Sequence, residues 1–404
     1  MKVIVTQNGA RRRYLIPQIL SDCGMLKCLY TDSQSGSLLG QFAKFLSRLG
    51  ISNARLKRLT RREHKLPREQ VRANDWLQLR LAWQAITKAS PYKTSETITQ
   101  GSSQAYIRWG CEGADWLYAM FIETFDFTRY AKEHGVKVIA DIYENPYIYK
   151  DLANEIDSLP ELSCLGLGNR KEQYMGMHRR RMKYVDNLLA TADQYLIPSV
   201  YVRDALRDNS PAFSEGKVNI VPYPTSIPSS KYDNSPVKGR VIWVGNDAVR
   251  KGLVYLLRAA KIIKERYPFT EFRIIGPVQQ AVVDSPDFSI FKFLGYLNKT
   301  QLQEEFRKAD MYVFPTLAEG LAGSLLEAAS FGVPVITTHA SGYESDFPGL
   351  FIRERSVDDI VDSVALLLED RQRRDIISHE IFAYSQERDS ENFKNKLIEI
   401  LTTK

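Results

Sequence analysis

At 404 residues, with 44% hydrophobic and 25% charged side chains, the chain has an ordinary globular balance and is too long for one core, so it reads as two domains. No apolar run reaches the roughly 18–20 residues that cross a bilayer, and the apolar start at 1–7 is too short for a signal peptide, so it reads as a buried strand. The net charge of +7 is local: 44–72 holds ten Lys/Arg against Glu63 and Glu69, a surplus of +8 that leaves about −1 elsewhere.

Short apolar strands are expected at 3–6, 116–121, 136–143 and 194–198. The stretch 38–98 is different. It is long, basic and helix-like with no clear strand, and reads as a helical insertion into the first domain. Pro222-Tyr223-Pro224 opens a Pro/Ser/Asn-rich linker that continues through Ser230 towards Pro236. Beyond it the strand–helix alternation becomes cleaner. Strands are expected at 240–244, 271–275, 291–294, 311–314 and 334–337. Helices are expected at 252–266, 299–308 and 323–331. This pattern predicts a second doubly wound parallel domain. The segment 385–401 reads as a charged amphipathic helix. Cys23, Cys28, Cys111 and Cys164 show no zinc or redox spacing and read as reduced thiols of a cytoplasmic protein.

The most informative run is Phe314-Pro315-Thr316-Leu317-Ala318-Glu319-Gly320-Leu321-Ala322-Gly323-Ser324-Leu325-Leu326-Glu327. A strand ends, a loop with two glycines follows, and a helix begins. Backbone amides at such a helix start suit an anion, and Gly320 and Gly323 let a ligand approach the backbone. Glu319 and Glu327 flank this site, as a ligand with phosphates and hydroxyls requires. An isolated glutamate on a helix is more often satisfied by a neighbouring amide. The glycines and the second glutamate favour a site here.

The second constellation is Val244-Gly245-Asn246-Asp247-Ala248-Val249-Arg250-Lys251-Gly252, at the carboxyl end of a predicted parallel strand. Arg250 and Lys251 supply a planar fork and a point charge, suited to a diphosphate leaving group. Alone, such a pair is usually solvated surface.

The Glu319/Glu327 pair, seven residues apart in between and followed by Phe331-Gly332-Val333-Pro334, resembles the signature of family-4 retaining glycosyltransferases of the GT-B fold, also called glycosyltransferase group 1. The resemblance covers 240–358 well and the first domain loosely. It implies an α/β protein of two Rossmann-like domains facing across a cleft. An acceptor domain at 1–225 and a donor domain at 226–384 are expected, with 385–404 packing back on the first. Glu319 would contact donor-sugar hydroxyls and Glu327 the ribose hydroxyls. The amides of Gly320, Leu321, Ala322 and Gly323 would meet sugar and diphosphate. Arg250 and Lys251 resemble the family's diphosphate-binding turn, although Asn246 stands where many members have arginine.

Gly276-Pro277 and Gly295-Tyr296-Leu297 end two further strands where relatives hold the base through backbone groups; an ordinary tight turn is the equal alternative. Gly245 belongs to the same donor set. In the first domain, Gly9 resembles the family's N-terminal glycine loop, and Asn8, Arg11 and Arg12 beside it read as acceptor-side residues or a solvated turn. Relatives often place a histidine in the loop after Asp141. Here Glu144, Asp141 and Tyr143 are the candidates for that place, or it is unfilled.

The resemblance therefore implies transfer of a sugar from a nucleotide-diphosphate sugar to a hydroxyl acceptor, in bacterial polysaccharide or glycolipid synthesis. It implies no cofactor and no metal, since the sequence has no Asp-x-Asp run for one and its five histidines form no ligand cluster. The basic segment 44–72, mixed with Phe45, Leu46, Leu49, Leu56 and Leu59, suits an anionic membrane surface, which would make the protein peripheral; a solvated or packed insertion is as natural. No nucleic-acid motif accompanies the charge. The competing functions are a sugar-nucleotide epimerase or phosphorylase on this fold and a non-catalytic scaffold that keeps the donor cleft.

Overall fold

The computed structural model describes residues 1–51, 54–87, 91–165, 169–224 and 231–402; residues 225–230 of the expected linker lie outside this set. Two parallel sheets organise the chain. The first has strand order β3-β2-β1-β4-β5-β6-β7, from β1 (Val3–Gln7), β2 (Leu26–Asp32), β3 (Val71–Asn74), β4 (Trp116–Met120), β5 (Lys137–Asp141), β6 (Gln194–Ile197) and β7 (Val218–Ile220). The second has order β10-β9-β8-β11-β12-β13, from β8 (Arg240–Val244), β9 (Glu271–Ile275), β10 (Lys292–Gly295), β11 (Met311–Phe314), β12 (Val335–Thr337) and β13 (Leu350–Phe351). Strands such as Val-Ile-Val-Thr-Gln and Trp-Leu-Tyr-Ala-Met are buried throughout, as strands covered on both faces must be. The two doubly wound domains expected from the alternation are present.

Helices cover the first sheet: α1 (Leu15–Asp22), α2 (Leu38–Arg48), α3 (Ala54–Thr60), α4 (Asp75–Ile86), α5 (Pro91–Trp109), α6 (Phe125–Glu133), α7 (Tyr149–Ser158), α8 (Asn169–Thr191) and α9 (Val200–Asn209). The second sheet carries α10 (Leu253–Arg266), α11 (Gln280–Val283), α12 (Lys299–Lys308), α13 (Gly323–Ala329), α14 (Val357–Glu369) and α15 (Arg371–Gln386), and α16 (Ser390–Thr402) ends the described chain.

The structure corrects the reading of 38–98 as strandless. β3 lies inside it and pairs with β2 through Leu29–Val71 to Asp32–Asn74. β2 and β7 were also missing from the predicted strands. The insertion is helical on either side of β3.

The chain crosses between the sheets more than once. Tyr149, Leu152, Ala153 and Ile156 of α7 and Tyr174 of α8 are buried in the core of the second sheet. Arg258 of α10 grips Glu161 at 2.7 and 2.9 Å, so this excursion is pinned by a bidentate ion pair. In the other direction, Phe393, Leu397 and Leu401 of α16 enter the core beside Val3 and Val5. Burial of each such side chain contributes about 1.5–3 kcal/mol.

The insertion places unusual side chains outside. Leu38, Phe42 and Phe45 of α2 and Leu49 just after it are exposed at helical spacing, as are Trp76, Leu79, Trp83 and Ile86 of α4, with Trp76 80% exposed. Asp75 ties the starts of the two helices together. It accepts hydrogen bonds from Ser37 Oγ at 2.7 Å and from the Leu39 amide at 3.1 Å. The two apolar stripes therefore begin side by side.

Candidate active site

In each sheet the strand order reverses at one point, between β1 and β4 in the first and between β8 and β11 in the second. Loops at such switch points diverge and leave a crevice at the carboxyl ends of the strands. Candidates follow β1 (residues 8–12), β8 (245–251) and β11 (319–323) at these switch points, while Tyr143 and Glu144 follow the neighbouring β5, and Gly276-Pro277 and Tyr296-Leu297 follow β9 and β10.

After β8, the loop 245–252 closes with Gly252 at φ 65°, and a β-carbon there would lie 1.9 Å from the Pro315 carbonyl oxygen. Only glycine allows the β8 and β11 loops to touch in this way. Leu317 N–H donates to the Arg250 carbonyl at 2.8 Å and Thr316 Oγ1 does so at 3.1 Å, fixing Arg250 beside Glu319. Arg250 Nη1 and Lys251 Nζ both reach Glu319 Oε1 at 2.7 Å. Burial works against charge on Glu319, yet Arg250 and then Lys251 outweigh it and hold its carboxyl below the usual range. Burial pushes Lys251 below the usual lysine range; Glu319 opposes this and the adjacent Arg250 adds to it.

Two cavities meet here. One, of about 350 Å³, is lined by Gly245, Asn246, Lys251, Gly276, Pro277, Glu319, Ala322 and Gly323. The other, of about 540 Å³, lies between the two domains and includes Arg11, Tyr143, Glu144, Arg250, Glu319, Gly320 and Leu321. Asn246 and Glu319 line both. A β-carbon on Gly323 would meet nothing within 4 Å, whereas one on Gly320 would lie 1.8 Å from the Tyr143 carbonyl oxygen. Gly320 thus serves the contact between domains, and its own carbonyl accepts from Ser199 Oγ at 2.6 Å.

Other predicted donor residues stand apart. Glu327 is half-buried on α13, one turn beyond the cavity wall. Tyr296 is 70% exposed, with the Arg61 guanidinium 6.0 Å from its ring, and Leu297 packs on the second core. The Gly276 amide donates to the Gly295 carbonyl at 2.8 Å, so these two strand ends bind each other.

In the first domain, Arg12, Arg13 and Tyr14 have φ of 48°, 50° and 61°. A left-handed run of side-chain-bearing residues costs about 1–2 kcal/mol each. Side chains on either side hold it. Tyr14 is fully buried, and Arg12 pairs with buried Asp141 at 3.1 Å while lying 3.3 Å from the Tyr223 ring centre. Arg12 is therefore enclosed in an ion pair away from the acceptor side where the sequence put it. Asp141, a candidate for the histidine's place, is enclosed with it. Arg11 does face the cleft, pairing with Glu123 at 3.2 Å and donating to Tyr143 Oη at 2.7 Å. Asn8 bonds Ser102 and Tyr106, and Gly9 donates to Asp32 at 2.8 Å. Glu144 accepts from Arg181 Nε at 2.9 Å and Tyr149 Oη at 2.7 Å; burial opposes its charge, but Arg181 and then Tyr149 hold its carboxyl low.

Sequence reasoning missed the residues that brace the cation loop from the first half of the chain. Tyr174 Oη donates to Asp247 Oδ1 at 2.7 Å, and Arg170 pairs with the same carboxylate. Asp247 also accepts from the Arg250 amide at 3.2 Å. Only the proximity of Asp247 to Arg250 in sequence hinted at this. Among the described residues no group of His, Cys, Asp and Glu is arranged to hold a metal ion.

Two facing doubly wound domains with a cation-walled cleft define the GT-B class of fold. Two solved structures agree with it: sucrose-phosphate synthase from Thermosynechococcus elongatus (TM-score 0.66, 13% identity, 99% of this chain and 98% of that one) and WaaG, a glycosyltransferase involved in lipopolysaccharide biosynthesis (TM-score 0.60, 15% identity, 100% of both). Residues 238–370, within the second domain, match the family model "Glycosyl transferases group 1". The chain is also similar to the sulfoquinovosyl transferase SQD2 of Arabidopsis thaliana, 29% identical over 154 residues, 36% of this chain and 29% of the plant protein. The chain thus spans less than a third of that relative's length.

Proposed function

We propose that the chain is a glycosyltransferase moving a sugar from a nucleotide-diphosphate sugar to a hydroxyl acceptor. The observation that carries this reading is the convergence of Arg250 and Lys251 on one oxygen of Glu319, each at 2.7 Å, on the wall shared by two cavities. A diphosphate entering beside Gly245 and Gly323 competes with Glu319 for both cations, since phosphate accepts charge-assisted hydrogen bonds from them. Glu319 then turns to the sugar hydroxyls. The cations stabilise the charge that develops on the leaving group, the term that weighs most in such a step.

Retention at the anomeric carbon is the outcome we favour. Of the three carboxylates lining the interdomain cavity, Glu144 and Asp247 stay in ion pairs with Arg181 and Arg170, and Glu319 is given to the sugar hydroxyls, so none of them serves as nucleophile or base in this reading. The departing phosphate takes the acceptor proton on the same face. With two side-chain cations at the diphosphate, turnover is expected to survive chelation of metal ions.

The donor is tested by thermal shift with UDP-, GDP-, ADP- and TDP-sugars. One base is expected to stabilise the protein, by about 2.7 kcal/mol at 100 times its Kd, and Glu327→Ala is expected to lose that shift. No stabilisation by any nucleotide would favour a degenerate scaffold. Product analysis separates transfer to an acceptor from epimerisation and from phosphorolysis.

We further infer that α2 and α4 rest on an anionic membrane surface, in glycolipid or polysaccharide synthesis at the inner face of a plasma membrane. The two exposed apolar stripes are accompanied by exposed Arg48, Lys57, Arg61, Lys65, Arg68 and Arg80. That combination suits acidic headgroups, at about 1 kcal/mol per basic residue near the surface. No helix among the described residues is long and apolar enough to cross a membrane. Co-sedimentation with phosphatidylglycerol vesicles is expected, weaker with phosphatidylcholine alone. Loss of sedimentation in Trp76→Ser/Trp83→Ser supports the surface, and retention refutes it.

A further inference from the structure

The insertion roofs a second cavity of the first domain, of about 520 Å³, over the carboxyl ends of β1 and β2. Its two halves differ in chemistry. Leu77 and Leu81 of α4, Leu59 of α3 and Ile98 of α5 form an apolar wall. Arg11, Arg62 and Arg180 stand on the polar side with Asp32 and Glu123.

The charges on that side do not cancel. Arg62 pairs with Asp32 at 2.6 Å, and Arg11 pairs with Glu123 at 3.2 Å. Arg180 is the third cation. It is 8% exposed, and its Nε and Nη2 donate to the Thr99 hydroxyl at 3.2 and 2.6 Å. No carboxylate among the described residues forms an ion pair with it. Burial and then neighbouring Arg181 work against its charge, but a guanidinium cannot escape by losing its proton. Glu123 and Glu144 favour its charge from a distance, but each is already paired, with Arg11 and Arg181, and a buried cation that lacks a directly bonded carboxylate is costly. A site that keeps one next to a cavity is built to receive an anion.

The same cavity leads to the reaction cleft, because Arg11 lines both. The helix that supplies its apolar wall, α4, also carries the exposed stripe of Trp76, Leu79, Trp83 and Ile86 on its outer side. A helix apolar on both sides adjoins non-aqueous material on both.

We propose that this cavity is the acceptor site and that it takes a phosphorylated amphiphile, with the phosphate on Arg180 and the alkyl chain along Leu77, Leu81 and Ile98. The name acceptor rests on the glycosyltransferase reading; the anion site itself does not.

The probes are octyl phosphate, 1-octanol and inorganic phosphate, measured by titration calorimetry on the full chain. Octyl phosphate is expected to bind at least ten-fold more tightly than either of the others. Arg180→Gln is expected to remove that advantage, to leave the nucleotide-sugar thermal shift unchanged, and to raise the melting temperature of the protein, because a buried charge without a direct ion pair is gone. Leu81→Glu is expected to weaken octyl phosphate while leaving inorganic phosphate as it was. The proposal is overturned if wild type does not bind octyl phosphate or if Arg180→Gln binds it equally well. It is also overturned if inorganic phosphate binds as tightly, since the anion would then be free phosphate. Octyl phosphate binding without any nucleotide-sugar shift would remove the glycosyltransferase reading and leave the amphiphile site standing. The reverse result would remove this site alone.

Discussion

Lys251→Met is expected to lower turnover by about 10²–10³-fold, the usual effect of removing one group that stabilises developing negative charge. The substitution keeps most of the side chain's volume and its contact with Phe314, whose ring centre lies 4.6 Å from Nζ. It also leaves Glu319 partnered by Arg250, so no carboxylate is left buried alone. A large loss of kcat with a small change in melting temperature is the expected pattern. An unchanged kcat would mean that Lys251 only neutralises Glu319. The pH dependence has a definite sign. The protonated amine holds the diphosphate, and burial puts its pKa below the ordinary lysine value of about 10.4. Donor binding is therefore complete on the acid side of that lowered pKa and lost as pH rises through it, earlier than for an exposed lysine. Lys251→Arg is expected to move the alkaline limb upward, because a guanidinium stays charged. Binding measured from pH 7 to 11 checks both statements.

The second large effect is expected at Gly320. An added β-carbon would lie 1.8 Å from the Tyr143 carbonyl oxygen and 2.6 Å from its carbon. Backbone cannot swing aside as a flexible side chain can, so the two domains must separate locally or the loops must distort. Overpacking of this kind costs about 1–3 kcal/mol. The same loop carries Glu319, and displacing reacting groups by about 1 Å can reduce rates by about 10²-fold. Gly320→Ala is therefore expected to lower both melting temperature and kcat, with nucleotide binding to the second domain reduced less. Gly323→Ala is the control on the same loop, since its β-carbon enters open space. An equal change in melting temperature in the two variants would refute the close approach as the reason for glycine at 320.

Local chemistry made the second domain legible. Its strands are short apolar runs with glycines at their ends, and β8, β9 and β11 form the middle of the sheet. The loop glycines and the charged triplet Arg250, Lys251 and Glu319 stand where those strands end. The first domain was harder to read. β3 is the edge strand Val-Arg-Ala-Asn, partly exposed and embedded in a basic stretch, so it lacks the apolar signal of a strand covered on both faces. β2 carries Lys27, Cys28 and Asp32 among its apolar residues, which hid it too.

The amino-acid sequence by itself determined the alternation of strands and helices, the doubly wound fold that follows from it, and the loop motifs of the second domain. Each depends on neighbours in the chain: side-chain period, glycine at strand ends, and a contiguous motif. Tertiary structure decided which charges meet. Asp247 found Tyr174 and Arg170 from more than seventy residues away, Arg12 was drawn into Asp141, and Arg180 was given a hydroxyl as its hydrogen-bond partner and no direct ion pair. Periodicity records whether a position is buried. The partner that a buried charge acquires depends on how distant elements pack, and only the folded chain brings those elements together.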